Sequence, residues 1–387
     1  MTTPNYFVDV HILQDLPPSN INRDDNGTPK QCTYGGVQRL RVSSQSWKRS
    51  TRLAFEDLGL IPEENLGVRT RRVIALFAAE FRKWGVADDE TATQLATAVV
   101  APLKIKPGKK ADQGAYLLFF SRPQVDDLVE KVMALREQWE PVIADTKALA
   151  TIVDGLDVPG VVGHGHSLDV ALFGRMVADL PEINVDAAAQ VAHAISTHAT
   201  QNQFDYFTAV DDFQNDSGSE TGSGMIGTIE FNSATMYRFA TVSTRQLSEN
   251  LNDPSTTPQG VVDFIKAFAL SMPTGHQTSY AAHTRPAAVV VSVRKDQPVN
   301  LVSAFEKPVW SPRQGMVEES ELRLARFMQE EVTRWGDSPI LVAACYAPVN
   351  DLNGEQKTLA DVFGPSLSFA DILDAVKVAI SGDNPDD

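Results

Sequence analysis

The chain has 387 residues, 43% hydrophobic and 22% charged, the make-up of an ordinary globular protein that can bury one large core or two to three lobes. Its 34 Lys+Arg stand against 50 Asp+Glu, a formal net charge of -16. That balance argues against indiscriminate coating of nucleic acid or membrane, so any polyanion site must be a confined patch. No apolar run approaches the roughly 20 residues that span a bilayer. The start, MTTPNYFVDV, has neither a basic n-region nor an apolar h-region, so no secretory signal is expected. Two cysteines, Cys32 and Cys345, provide no disulfide framework and no CxxC metal site, and a reducing cytoplasm is the expected location.

In chain order, YFVDVHIL (6–13) alternates as a strand and GGVQRLRVS (35–43) as another. Between them PPSNINRDDNGTPKQCTYGG is rich in Pro, Gly, Asn and Asp and reads as a long loop. A helix starts near Ser44 or Ser46, either of which suits an N-cap. From about Pro62 to Asp186 the apolar period is helical. Ile74, Phe77, Ala78 and Phe81 form one stripe, and Val125, Leu128, Val129 and Val132 another, the pattern of an inserted helical lobe.

The segment AAAQVAHAISTHA (187–199) also reads as a helix. QFDYFTAVDD (203–212) alternates as a strand and runs into FQNDSGSETGSG, a turn-like tip. MIGTIEF and ATMYRFATVS follow as two strands joined near Asn232 and Ser233. The remainder predicts a helix over 260–271, a strand over 287–293, a helix over 318–335, a strand over 340–347 and a last helix over 369–381. This mixture predicts an α+β chain, an antiparallel sheet with helices on one face, plus the inserted lobe.

Against the acidic whole, RLRVSSQSWKRSTR (39–52) carries five cations and no acid, and six Lys/Arg lie between Asp25 and Glu56 uninterrupted by a carboxylate. In a strand, Arg39, Arg41 and Ser43 share a face. In the following helix Gln45, Lys48, Arg49 and Arg52 share another at spacing i, i+3, i+4, i+7, with Trp47, Ala54, Phe55 and Leu58 on the apolar side. A solvated cationic face explains such a run, but solvated faces interleave both signs. The short donors Ser43, Ser44, Gln45 and Ser46 among the cations favour a track for a nucleic-acid backbone.

Other segments invite enzyme readings and support them poorly. His164 and His166, with Asp169, His193 and His198, suggest metal ligands, but His193 and His198 are five apart and do not share a helix face as in HExxH. No metal and no cofactor are expected. SGSETGSGMIG lacks the GK[ST] ending of a Walker loop, and no GxSxG elbow occurs. The strand at 203–212 puts Phe204, Tyr206 and Val210 on one face and Phe207 on the other, which suits either an ordinary hairpin or a finger that wedges against bases.

Several segments together resemble one family: NRDD (22–25), YGGVQRLRVSSQSWKRSTR (34–52), LDVALFGRM (168–176), AHAISTH (192–198), DYFTAVDD (205–212), GTIEFNSATMYRFA (227–240), TSYAAH (278–283) and AFEKPV (304–309). In these the chain resembles the CasC family, the backbone subunit of type I-E CRISPR Cascade surveillance complexes. The combination of RVSSQSWKR with FTAVDD is the most specific part.

The resemblance implies a non-catalytic CRISPR RNA-binding subunit for antiviral defence. Its palm would be a modified RNA-recognition (ferredoxin-like) fold over 1–59 and 188–387, with helical fingers inserted over 60–187 and a β-hairpin thumb over 198–227. Copies, near six in the family, stack along the guide beside large, small, guide-end-capping and guide-processing subunits. Each thumb displaces one nucleotide and leaves the rest to pair with target DNA. By position, Arg23, Lys30, Arg39, Arg41, Ser43, Gln45, Ser46, Lys48, Arg49 and Arg52 would meet guide phosphates. Arg175 and Met176 would lie against the guide near a kink, and Tyr206, Phe207, Thr208 and Val210 beside the displaced nucleotide. The family can use a lysine-rich finger helix for DNA; the matching region here is poor in cations. Lys104, Lys106, Lys109 and Lys110 of LKIKPGKK are expected to replace it. The rival reading is a metal-dependent nuclease subunit of a CRISPR complex.

Overall fold

The computed structural model describes residues 5–106, 113–177, 180–209, 225–311, 315–347 and 359–381. The chain divides into two compact units. One comprises Tyr6–Ala54, Val191–Thr241 and Val262–Asp387 and is built on a large sheet; the other, chiefly Phe55–Gln190 with Val242–Val261, is mostly helical.

The strands are β1 (Phe7–Ser19), β2 (Gln31–Tyr34), β3 (Val37–Val42), β4 (Gly67–Thr70), β5 (Leu118–Ser121), β6 (Ala189–Val191), β7 (Ala194–Ser196), β8 (Gln203–Ala209), β9 (Met225–Ser243), β10 (Ala288–Arg294) and β11 (Leu341–Cys345). The large sheet runs β11-β10-β1-β9-β7-β3-β2, with β6 and β8 also paired to β9. Helix α1 (Ser44–Asp57) leads out of β3. In chain order β1, α1, β7, β9, the helix Thr257–Leu270 and β10 form a βαββαβ series whose strands lie side by side as β10-β1-β9-β7.

Helices cover both faces of this sheet, where the sequence led us to expect one. Residue parity on β9 shows why: Tyr237 and Phe239 pack with Leu324, Ala325 and Met328 of the helix Met316–Trp335, while Arg238 points the other way, under α1. Its guanidinium carbon stands 3.6 Å from the Trp47 ring centre and 4.5 Å from that of Phe268 in the helix Thr257–Leu270. Arg238 Nη1 donates to Gln14 Oε1 at 2.6 Å, and Nη2 donates to the Phe268 carbonyl. Burial lowers its pKa to about 9, so it remains a cation at neutral pH, held by two aromatic faces.

Three further expectations are corrected. Residues 187–199 are not a helix but contain β6 and β7. Alanine favours helices, yet here tertiary pairing decides, because Ala194 and Ile195 pair with β3 and the Ser196 hydroxyl accepts the Leu40 N–H. Nor do the strands on either side of Asn232 and Ser233 turn there: β9 is one strand of 19 residues. Asn232 Nδ2 donates to Asn202 Oδ1 at 2.9 Å, so its side chain ties down β9 where that strand changes partners, and makes no turn. Leu58, expected on the apolar side of α1, is 41% exposed, since the helix ends at Asp57 before it.

In the helical unit, the helices Val73–Lys83, Asp89–Val100, Arg122–Ala134 and Thr146–Asp154 share a core that includes Phe77, Phe81, Leu95, Leu128, Val132 and Trp139. Both stripes read from the sequence face inward, although Ile74 is only half-buried. Strands β4 and β5 pair antiparallel in this unit.

Truncating Trp47, 1% exposed, removes an aromatic wall from Arg238 and opens a cavity under α1. Trp47→Ala is expected to cost about 3–5 kcal/mol, read from urea unfolding.

Candidate nucleic-acid interface

The cationic face of α1 is organised by its first turn. Ser43, one residue before the position expected, is the cap: its carbonyl accepts the Trp47 N–H and its hydroxyl accepts the Ser46 N–H at 3.4 Å. Asn22 Oδ1 accepts the Ser43 N–H at 2.8 Å, and His193 Nδ1 accepts the Ser44 N–H at 3.3 Å. The same imidazole nitrogen lies 3.3 Å from Arg41 Nη1. Two donors on Nδ1 require a neutral ring. Partial burial, then Arg41 and Lys30, lower the His193 pKa accordingly.

Beyond this turn Gln45 and Arg49 are exposed, while Ser46, Lys48 and Arg52 are half-buried on the same side. Desolvation lowers the Lys48 pKa. Lys30 and Arg41 are brought together by the backbone, the Arg41 N–H donating to the Lys30 carbonyl at 2.8 Å. The Lys30 N–H in turn donates to the Asn22 carbonyl. Arg23, exposed on the same loop, donates to His276 Nε2. Asp24 belongs to the acid side of this loop, but its Oδ1 accepts the Asn26 and Thr28 N–H groups. The fold thus gathers Arg23, Lys30, Arg41 and the α1 cations in the sheet unit. Asn22 and His276, which help organise them, escaped the sequence reading, and His193 entered it only as a candidate metal ligand, because their partners are distant in the chain.

Three expected contact residues are buried and leave the set: Ser43, 5% exposed and spent as the cap of α1, Arg39 and Arg175. Arg39 has the parity of Arg41 but is fully covered; its guanidinium donates to the carbonyls of Tyr34, Ser196, Phe305 and Glu306. Gly35 permits that covering, for a Cβ there would stand 1.6 Å from the Glu306 oxygen. Arg175, 5% exposed in the helical unit, donates to the carbonyls of Ile183, Phe119 and Val162. Burial lowers its pKa to about 10. Met176 beside it is 86% exposed.

Strands β8 and β9 form an antiparallel hairpin with Phe204 opposite Glu230, Tyr206 opposite Thr228 and Phe207 opposite Gly227. Phe204 and Tyr206 are 70% and 62% exposed on one face. Phe207 lies on the other, its ring over the Gly227 Cα, where a Cβ would meet it at 2.3 Å. Thr208 is exposed; Val210 lies outside the described residues.

In the helical unit Lys104 and Lys106 are exposed, whereas Lys109 and Lys110 lie outside the described residues. The sequence reading missed their neighbours. The Gly114 N–H donates to the Arg71 carbonyl and the Ala115 N–H to that of Lys106, which sets exposed Arg69, Arg71 and Arg72 beside the lysines. The histidines once considered as ligands have separate partners. His164 Nδ1 donates to the Gly160 carbonyl, His166 Nδ1 accepts from Gln124 Nε2, and His198 Nδ1 donates to the Ala199 carbonyl while its Nε2 accepts the Thr235 N–H.

Asn22→Ala leaves the Ser43 N–H without its acceptor. The expected loss is about 1 kcal/mol of stability, measured by thermal unfolding, with the start of α1 exchanging its amide hydrogens faster.

A family model described as "CT1975-like protein" matches residues 8–373. Among solved structures, a chain described as "CRISPR RNA-guided surveillance complex, pre-nicking" is similar with a TM-score of 0.80 and 32% sequence identity, covering 97% of this chain and 100% of that one. A second, described as "CRISPR RNA-guided surveillance complex", has a TM-score of 0.71 and 28% identity over 96% of this chain and 99% of its own. The comparison with curated proteins gives no match. With a family match spanning nearly the whole length and sheet and helical units alike included in the structural one, the chain belongs to the CT1975-like protein family.

Proposed function

We propose that this chain is a non-catalytic backbone subunit of a CRISPR RNA-guided surveillance complex, of type I-E by its sequence motifs, which holds the guide RNA along α1. The observation that carries the reading is the cationic face over the first turns of α1, without an acid until Glu56, in a protein of net charge -16, continued by Lys30, Arg41 and Arg23. The similar solved chains, described as belonging to such complexes, support it. The β10-β1-β9-β7 order is that of a ferredoxin-like sheet and supports reading the sheet unit as the RNA-recognition palm, the helical unit as fingers and the β8–β9 hairpin as thumb.

A guide of arbitrary sequence has to be held through phosphate and ribose, because base-edge contacts would restrict which guides load. Base pairing then supplies target specificity. Phe204 and Tyr206 on the hairpin offer stacking surface for a displaced base, and unstacking costs a few kcal/mol per site. Further copies of the chain and the other complex subunits would complete the assembly. The acidic remainder keeps nucleic acid off the rest of the surface. No helix among the described residues is long and apolar enough to cross a membrane, and a cytoplasmic complex fits this reading.

A salt titration of RNA binding tests the guide track. Lys48→Glu/Arg52→Glu is expected to weaken binding of all RNA sequences alike, with a slope of log affinity against log salt shallower by about 2. Sequence-selective loss, or none, would remove the proposal. For target DNA the reading assigns the patch of Lys104, Lys106, Arg69, Arg71 and Arg72 in the fingers, with Lys109 and Lys110. Charge reversal of Lys106, Lys109 and Lys110 should weaken DNA capture and leave guide loading intact, measured by gel shift of the loaded complex. DNA capture equal to wild type would refute that assignment.

A further inference from the structure

The two longest stretches of this sequence without Asp or Glu run from Asp25 to Glu56 and from Asp263 to Asp296. The first holds α1. The second includes PTGHQTSYAAHTR (273–285), whose TSYAAH segment carries part of the family resemblance and has no role in the function proposed so far. The fold places the two stretches together: the Trp47 and Phe268 rings meet edge to face, 6.5 Å between centroids, and Thr51 Oγ1 lies 3.4 Å from Ser271 Oγ. Gly275 lies against the Ile21 carbonyl so closely that a Cβ would stand 2.5 Å from its oxygen. His276 accepts from Arg23, next to Asn22, which holds the first turn of α1. At its other end the Tyr280 ring packs on Phe231, 6.0 Å between centroids, and Phe231 pairs with Gln203 at the root of the hairpin.

The segment therefore contacts, at one end, the loop that holds the first turn of α1 and, at the other, the root of the aromatic hairpin. A short helical turn, Gln277–Tyr280, lies between His276 and Ala281, both at left-handed φ (49° and 46°). It leaves Thr278 and Ser279 exposed, with His283 and Arg285 exposed just beyond. These are two hydroxyls, an imidazole and a guanidinium, groups that meet ribose and phosphate. Acid flanks the segment on both sides: exposed Asp15, whose carbonyl accepts the Thr284 hydroxyl, and Asp205 at the hairpin, which joins burial in raising the Tyr280 pKa.

We propose that residues 274–285 form the middle span of the nucleic-acid path, taking the sugar–phosphate backbone of a single-stranded RNA as it passes from α1 to the β8–β9 hairpin. Thr278 and Ser279 donate to phosphate or ribose oxygens, His283 offers a ring nitrogen, and Arg285 adds charge. This deepens the proposed function and rests on it.

The test uses the full chain and a fluorescein-labelled single-stranded RNA of mixed sequence, followed by anisotropy over a range of salt. Thr278→Glu/Ser279→Glu is expected to weaken binding about tenfold or more, with a shallower salt slope and an unchanged melting temperature. The milder Thr278→Ala/Ser279→Ala should weaken it several-fold. With 4-thiouridine in the RNA, photo-crosslinks should appear in the peptide 273–285. Wild-type affinity in both variants, with crosslinks only elsewhere, overturns the inference; if Lys48→Glu/Arg52→Glu still weakens binding, the guide-track reading survives that result. If wild type binds no RNA, both fall. Variants that bind RNA normally but no longer associate with a second protein would assign the segment to a protein contact, also against the inference.

Discussion

The Arg238 guanidinium between Trp47 and Phe268 holds the architecture on which the candidate interface depends. It rises from the central strand β9 and meets α1 through Trp47, the helix Thr257–Leu270 through Phe268, and β1 through Gln14. A cation in the interior is ordinarily costly unless paired. Here two ring faces, an amide oxygen and a backbone carbonyl do the pairing, with no carboxylate among its hydrogen-bond acceptors. The consequence for function is geometric. With Trp47 seated on Arg238, the opposite side of α1, bearing Gln45, Lys48, Arg49 and Arg52, must face outward.

The arginines of this protein fall into two kinds that composition does not separate. Arg39 and Arg175 are covered and spend their donors on backbone carbonyls, Arg238 is covered between two rings, and Arg294 is covered and paired with Asp296 and Asp337. Arg39 and Arg175 saturate carbonyls that would otherwise be buried without a partner, which is where an arginine with five donors is most useful. Arg23 and Arg49 are exposed and Arg41 is half-buried, on the side where Lys30 and the α1 cations gather. Only the second kind is available to a polyanion. Within one strand, Arg39 and Arg41 differ because the backbone at Phe305 and Glu306 covers the first.

The sheet unit also shows how an acidic protein can offer a local anion surface. Asp24 is drawn into its own loop, and Glu230 accepts from Thr28 and Asn202. Arg23, Arg49, Thr278, Ser279 and Arg285 are left exposed. The neutral imidazole of His193 belongs to the same design: it satisfies the Ser44 N–H without adding a charge that would compete with Arg41.

Local pattern in the sequence determined the helical lobe, the amphipathic face of α1, the hairpin with its exposed aromatics, and the concentration of positive charge between Asp25 and Glu56. These depend on neighbours within a few residues, so periodicity and composition carry them. Tertiary structure alone decided that residues 187–199 pair as strands, that β9 continues through Asn232, and that Arg39 and Arg175 are interior. It also decided that Asn22 and His193 accept the Ser43 and Ser44 N–H groups at the start of α1 and that His276 meets Arg23. In each case the deciding partner lies far away in the chain, and its hydrogen bond or packing outweighs a local preference worth less than about 1 kcal/mol per residue.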